Sequence, residues 1–224
     1  MSGIPGYLDP VPTKIVCVGK NYADHARELG SELPAEPLIF LKPVSTLIGD
    51  GEAIELPPGA GRVDFEGEVA VQIGRRATRV PEGEALGYVS GVLPLNDVTA
   101  RDLQNRDGQW TRAKGFDTFC PVGEPVPAGT VDLEGLRVRT TLNGEVKQDA
   151  LLGEAVFQVP ALIAWISRIM TLEPGDIIAT GTPSGIGPIV PWDEVEVTVE
   201  GVGAVRNPVR PAPGEPWPYG FPKG

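Results

Sequence analysis

Histidine and cysteine, the residues behind most transition-metal and thiol chemistry, are nearly missing from this chain. It has one histidine, His25, and two cysteines, Cys17 and Cys120, in 224 residues. A single imidazole excludes a multi-histidine metal site, and any imidazole chemistry has to run through His25. The two cysteines stand in apolar or turn surroundings, without zinc spacing or a disulfide framework, and both read as structural. A reducing, cytoplasmic compartment is the expectation. There is no apolar run long enough to span a bilayer, and the N-terminus lacks the basic and apolar regions of a signal peptide. Positive charge is scarce too: 19 Lys and Arg against 30 Asp and Glu leave a net charge of −11. That balance argues against nucleic acid or an anionic membrane as a partner. A small anionic ligand stays compatible, provided a local cation reverses the sign at its site.

What is abundant is glycine and proline, 29 and 24 residues. They imply many turns and short elements, and so a β-rich architecture. The length suits one large domain with a sizeable core. Residues 1–13 read as a Pro- and Gly-rich lead-in, 14–206 as the domain, and 207–224 as a Pro-rich tail with little capacity for regular structure. No internal repeat or second domain is visible.

The central stretch runs from Val63 to Ile73. Val69, Val71 and Ile73 recur every second residue, the period of a strand with one buried face. Carried backwards, that period sets Glu66 and Glu68 together on the opposite face. Two carboxylates one pleat apart repel unless a cation lies between them, and their oxygens suit a hard divalent ion. Taken alone, the pair is better described as a solvated acidic edge, common in a chain this acidic.

Other stretches add candidates. Lys14 to Gly19 is a short buried strand, after which Asn21 caps a helix from Tyr22 to Leu29 closed by Gly30. His25 and Glu28 lie three residues apart on it and share a face, as a base and its orienting carboxylate do, or as a surface pair does. Residues 31–37 form a connection that would let this helix act as a lid. The strand 37–43 delivers Lys42. A buried strand from Gly87 to Asn96 ends at Asp97, and Thr99 to Asp102 resembles a capping box opening a helix through Gln104. Lys114 stands among apolar and small residues, which fits either partial burial or snorkelling. Leu136 to Leu142, Asn143-Gly144 and Glu145 to Gln148 make a hairpin with a type I′ turn. Pro160 to Met170 is a helix whose apolar stripe is Leu162, Ile163, Ile166, Ile169 and Met170. A strand at 176–180 leads into Gly181 to Gly187, where backbone N–H groups can converge on an anion or simply turn the chain. Val195, Val197 and Val199 mark a last, half-exposed strand.

Six of these stretches occur together and in order. They are Gly19-Lys20-Asn21-Tyr22-x-x-His25-x-x-Glu28, Phe40-Leu41-Lys42-Pro43, Glu66-x-Glu68, Asn96 to Gln104, Trp110 to Asp117, and Ala179 to Gly187. The set resembles the fumarylacetoacetate hydrolase family, in particular its short acylpyruvase and oxaloacetate decarboxylase branch, from residue 13 to about 208. The Pro-rich tail is longer than in a minimal member. The resemblance implies a mainly β (α+β) fold, a mixed β-sandwich roll with short helices, in a homodimer binding Mg²⁺ or Mn²⁺. By matching motif, Glu66, Glu68 and Asp97 are the metal ligands, and His25, Glu28 and Lys114 the catalytic residues. Lys42, Gln104 and Thr182 are the expected substrate contacts. The reaction implied is cleavage of a C–C bond in a small anionic 2-keto acid through a metal-stabilised pyruvate enolate. The alternatives are a keto–enol tautomerase or an isomerase of hydroxydienoates, and a non-catalytic metal-bound β protein.

Overall fold

The computed structural model describes residues 4–28 and 30–215. It is built mainly from strands, with a few short helices and mixed sheets. The larger sheet has six strands in the order Val126–Pro127, Val89–Asn96, Gly67–Ile73, Ile177–Ala179, Ile15–Gly19, Leu38–Lys42. Its neighbours are antiparallel except Ile15–Gly19 and Ile177–Ala179, which run parallel. A five-stranded sheet orders Glu145–Leu151, Arg137–Leu142, Glu194–Val199, Gly203–Pro211, Ile54–Leu56. A small third sheet places Val63–Phe65 between Gly187–Pro188 and Thr99–Ala100.

The Gly67–Ile73 strand is buried at every residue, so both of its faces meet protein. This corrects the one-faced reading. Val69, Val71 and Ile73 enter the main core with Val138, Val197 and Val199 of the other sheet and Leu162, Ile163 and Ile166 of the helix. Ala70, on the opposite face, joins a second cluster with Ile15, Cys17, Leu93, Leu95 and Cys120. A strand covered on both sides is the position from which side chains can be held rigidly in the interior.

The hairpin forms as expected: Asn143 and Gly144 take φ of 53° and 81°, the left-handed pair a type I′ turn requires. Several local expectations are not met. Asn21 does not cap the short helix Ala23–Glu28; its amide donates to Thr180 O (2.7 Å) and Phe157 O (3.0 Å), and its oxygen accepts from Phe157 N–H. Leu29, at that helix's expected end, lies outside the described residues. Thr99 is not a cap either. It sits in a strand, its hydroxyl donates to Asp97 O at 2.8 Å, and helix Arg101–Asp107 starts with no side-chain cap. The later helix is Val159–Ile169, and Ile169 is 56% exposed rather than part of the stripe.

Glu194–Val199 is not the final strand, because the first residues of the expected tail are strand too. Gly203–Pro211 pairs antiparallel with Glu194–Val199 and parallel with Ile54–Leu56. Its prolines are tolerated because Val209 supplies the local ladder, donating to Asp193 O and accepting from Trp192 N–H. Asn207 anchors the strand by donating to Gly49 O and Glu52 O. Residues 216–224 of the tail lie outside the described residues. Among the described residues no helix is long and apolar enough to cross a membrane.

Candidate metal centre

Three carboxylates from two neighbouring strands meet at one end of the six-stranded sheet. Glu66 occupies the break between Val63–Phe65 and Gly67–Ile73, its N–H held by Asn96 Oδ1 at 2.9 Å. Asp97 follows Val89–Asn96 and donates its N–H to Glu66 O at 2.8 Å. Glu68 accepts the Gly181 N–H at 2.7 Å. Oxygens of Glu66, Glu68 and Asp97 lie within 4.8 Å of one another, and all three residues are buried. The solvated-edge reading of the glutamates is thereby excluded. Gly67 between them has a steric reason, since a Cβ there would run into the Thr140 hydroxyl of the opposing sheet.

The cations around the cluster are distributed unevenly. Lys114 Nζ bridges Glu66 (2.7 Å) and Asp97 (2.6 Å). Lys42 Nζ holds the other Asp97 oxygen at 2.7 Å. Arg101 pairs with Glu66 and, at 2.9 Å, with Asp64, which also receives Arg62 at 2.7 Å. No ion pair reaches Glu68 among the described residues. Burial pushes its carboxyl well above the usual range, and the charges of Asp97 and Glu66 push it further. Glu66 goes the other way: burial is its largest single influence and opposes ionisation, but Arg101 and Lys114 together outweigh it. Lys114 keeps its charge by the same logic, burial being outweighed by Asp97 and Glu66.

A buried carboxyl that lacks a cation, next to two others that together offer only hard oxygen donors, fits a divalent cation. Such a site suits Mg²⁺, Mn²⁺ or Ca²⁺ by donor chemistry, and it contains no sulfur or imidazole donor that would favour zinc.

The loop from Gly181 to Gly187 does direct N–H groups at anions, and those anions are the chain's own carboxylates. Gly181 serves Glu68, while Gly185 N–H lies 3.2 and 3.3 Å from the two oxygens of Glu28. Glu28 also lies 3.2 Å from His25 Nδ1. The short helix is thus docked on the loop, with His25 only 4% exposed and on the wall of a cavity of about 480 Å³. Glu66, Glu68, Asp97, Lys114, Gln104 and Thr182 share that wall. Gln104 also accepts a hydrogen bond from Arg101 at 2.7 Å. The Thr182 hydroxyl is already engaged, donating to Gly67 O and accepting from Gln148.

Lys42 is placed differently from its expected role. It is fully buried behind Asp97, bonded to Asp97 and Val98 O, and is not on the cavity wall. From there it holds Asp97 in place from behind the wall, and its amine does not face the cavity as the expected substrate contact would.

Two contributors were not singled out from sequence. Arg101 lies inside a quoted motif, but nothing local marks it as the partner of Glu66. Gln148 gives only a weaker clue: it stands opposite Thr140 on the hairpin, and both are inward-facing polar residues with almost no exposure. It accepts the Gly67 N–H at 2.9 Å and donates to Thr182 Oγ1 (2.7 Å) and Pro183 O (2.8 Å).

A mixed β fold holding a buried triad of acids beside a lysine and a docked His–Glu helix is the design its motifs implied. Residues 14–210 match the model of the fumarylacetoacetate (FAA) hydrolase C-terminal domain. The chain belongs to the fumarylacetoacetate hydrolase family. It is 44% identical to the mitochondrial oxaloacetate tautomerase FAHD1 of Arabidopsis thaliana, over 88% of this chain and 91% of that protein. Its fold superposes on 5-carboxymethyl-2-hydroxymuconate delta-isomerase from Mycobacterium smegmatis with a TM-score of 0.85 at 45% identity, covering 91% of this chain and 81% of that one. Fumarylpyruvate hydrolase from Pseudomonas aeruginosa, solved with Mn²⁺ and pyruvate, matches with a TM-score of 0.84 at 30% identity, over 91% of each chain.

Proposed function

We propose that this chain is a divalent-metal-dependent enzyme of small 2-keto acids, working through the enolate of the keto-acid unit. The observation that carries the reading is Glu68, a buried carboxyl without a cation, set in a triad whose other two members are held by Lys114, Arg101 and Lys42. Glu66, Glu68 and Asp97 would hold Mg²⁺ or Mn²⁺, which supplies positive charge toward the carboxylate and 2-oxo oxygens of the substrate. Lys114 and Arg101 line the same cavity, and their ammonium and guanidinium stabilise negative charge building on the substrate as a proton or carbon fragment leaves. Each such contact is worth roughly 3 kcal/mol in other enzymes.

His25 is the base. With Nδ1 donating to Glu28, Nε2 carries the lone pair, and the carboxylate stabilises the imidazolium that forms. In keto–enol exchange His25 takes a proton from the carbon next to the 2-oxo group, and a proton is delivered to the oxygen. The names of the tautomerase and isomerase relatives favour this reaction. Hydrolytic cleavage is the second reading, favoured by the dyad itself. There His25 deprotonates a water that adds to the distal carbonyl, the C–C bond breaks, and the enolate left behind is protonated to the keto acid.

The test follows oxaloacetate and acetylpyruvate with Mg²⁺, with Mn²⁺ and with a chelator, recording enol absorbance and pyruvate separately. Metal-dependent enol exchange without pyruvate release assigns the tautomerase. Metal-dependent pyruvate release assigns cleavage. Neither signal, from protein that binds Mn²⁺, overturns the proposal.

A further inference from the structure

Lys20 stands out on two independent grounds. It is one of the non-glycine residues with a left-handed backbone, φ +57°, and among Lys20, Arg79, Thr118, Asn143 and Trp192 it is the one that lines the cavity. Its amine is also unengaged. The other cations on the wall are paired: Arg62 with Asp64, Arg101 with Asp64 and Glu66, Lys114 with Glu66 and Asp97. Lys20 has no ion pair or hydrogen bond from its side chain among the described residues.

The backbone conformation has a structural cause. Lys20 joins the end of strand Ile15–Gly19 to Asn21, which is pinned by its bonds to Thr180 and Phe157. The chain must turn sharply there, and glycine, or failing that asparagine, meets a left-handed turn at the lowest cost. Lysine brings no side-chain hydrogen bond or ion pair in return. What it adds is an unengaged ammonium on a wall whose other Lys and Arg side chains are all paired with carboxylates. Strain kept at a cavity wall without a structural return is a mark of function.

We infer that Lys20 anchors a second carboxylate of the substrate, so that the site takes 2-keto diacids in preference to 2-keto acids with an uncharged tail. The inference rests on the reading of the triad as a 2-keto-acid site. The inner carboxylate and 2-oxo group belong at Glu66, Glu68 and Asp97, where Lys114 and Arg101 are committed. A distal carboxylate entering the same cavity meets Lys20 as the cation with no partner of its own. The apolar wall made by Phe40 and Trp110, whose rings meet edge-on at 5.1 Å, offers it no charge.

Binding to the Mn²⁺-loaded protein tests this without turnover. Calorimetry compares 2-oxoglutarate with 2-oxopentanoate, which share the keto-acid unit and chain length but end in a carboxylate and a methyl group. The expected preference for the diacid is about tenfold or more, the usual scale of a charge-assisted hydrogen bond. Lys20→Gly and Lys20→Asn, both suited to the left-handed turn, should fold at least as stably as the parent and lose the preference. Lys20→Arg should keep it. Equal binding of the two acids by the parent, or a preference that survives in Lys20→Gly, overturns the role of Lys20 and leaves the 2-keto-acid reading standing. Binding of neither acid by the loaded parent overturns both.

Discussion

The side-chain oxygen of Gln148 accepts the N–H of Gly67, the residue between the two glutamates of the triad, at 2.9 Å. Its amide nitrogen reaches Thr182 and Pro183, so one buried side chain ties the carboxylate strand to the glycine loop that holds Glu68. Outer partners of this sort typically change metal affinity by about 10–100-fold when removed. Gln148→Ala should therefore weaken Mn²⁺ binding by at least about tenfold. Leaving the buried Gly67 N–H unpaired should cost a further ~1–3 kcal/mol of stability. Calorimetric Mn²⁺ titration and urea unfolding of the same samples measure the two effects, and unchanged metal affinity would remove Gln148 from the site.

Glu68→Gln separates the site from the fold. The amide keeps an oxygen for Gly181 N–H and removes an acid that burial, Asp97 and Glu66 all drive toward its neutral form. The metal-free variant should be as stable as the parent or more so, because the replaced carboxyl is costly to ionise in place. Mn²⁺ affinity should fall by about two orders of magnitude, as expected for losing one of three charged oxygen donors. A variant that bound Mn²⁺ as well as the parent would show that the ion sits elsewhere.

The contrast between these two residues shows what was legible beforehand. The grouping of Glu66, Glu68 and Asp97 was legible because the two glutamates stand one pleat apart along the chain and Asp97 lies in one of the motifs shared with the family. The hairpin was readable because Asn143-Gly144 encodes its turn in two residues. Gln148, Arg101 and the supporting position of Lys42 were not, since each acts through a partner more than thirty residues away. The missed caps at Asn21 and Thr99 also trace to partners distant in sequence, side-chain partners for Asn21 and a strand pairing for Thr99. The Asn21 side chain is taken by Thr180 and Phe157, far along the chain, while Thr99 is drawn into a strand opposite Asp64 and its hydroxyl turns back to Asp97 O. In the tail, alternation was obscured by proline, yet Asn207 just before Pro208 and Val209 just after it carry contacts that hold residues 203–211 as a strand.

Both cysteines should be inert in the folded protein. Burial pushes the Cys17 thiol well above its ordinary range and Cys120 up to about 12, so almost no thiolate exists near neutrality. A disulfide-type thiol reagent at pH 8 should modify neither in native protein and both after unfolding in guanidinium. Rapid labelling of one thiol in the native state would place it at an opening not visible in this packing.

Asp176 provides the pH test of the fold. Burial alone would raise its carboxyl, but Lys14 Nζ, Glu173 N–H and the Thr13 hydroxyl outweigh it and hold it below the ordinary value of 3.8. A depressed folded-state value means that the stabilisation is complete above the unfolded value and disappears as pH falls through the folded one. The contacts matter because Lys14 and Asp176 stand at the heads of the parallel strands Ile15–Gly19 and Ile177–Ala179, which hold the centre of the six-stranded sheet. Asp176→Asn should cost about 2 kcal/mol at pH 7, the usual scale for hydrogen bonds to a charged group. The same substitution should flatten the acid limb of the stability curve, so that parent and variant converge at the lowest pH. Urea midpoints measured from pH 7 down to pH 2 decide the matter, and parallel curves for the two proteins would assign the acid limb to other carboxylates.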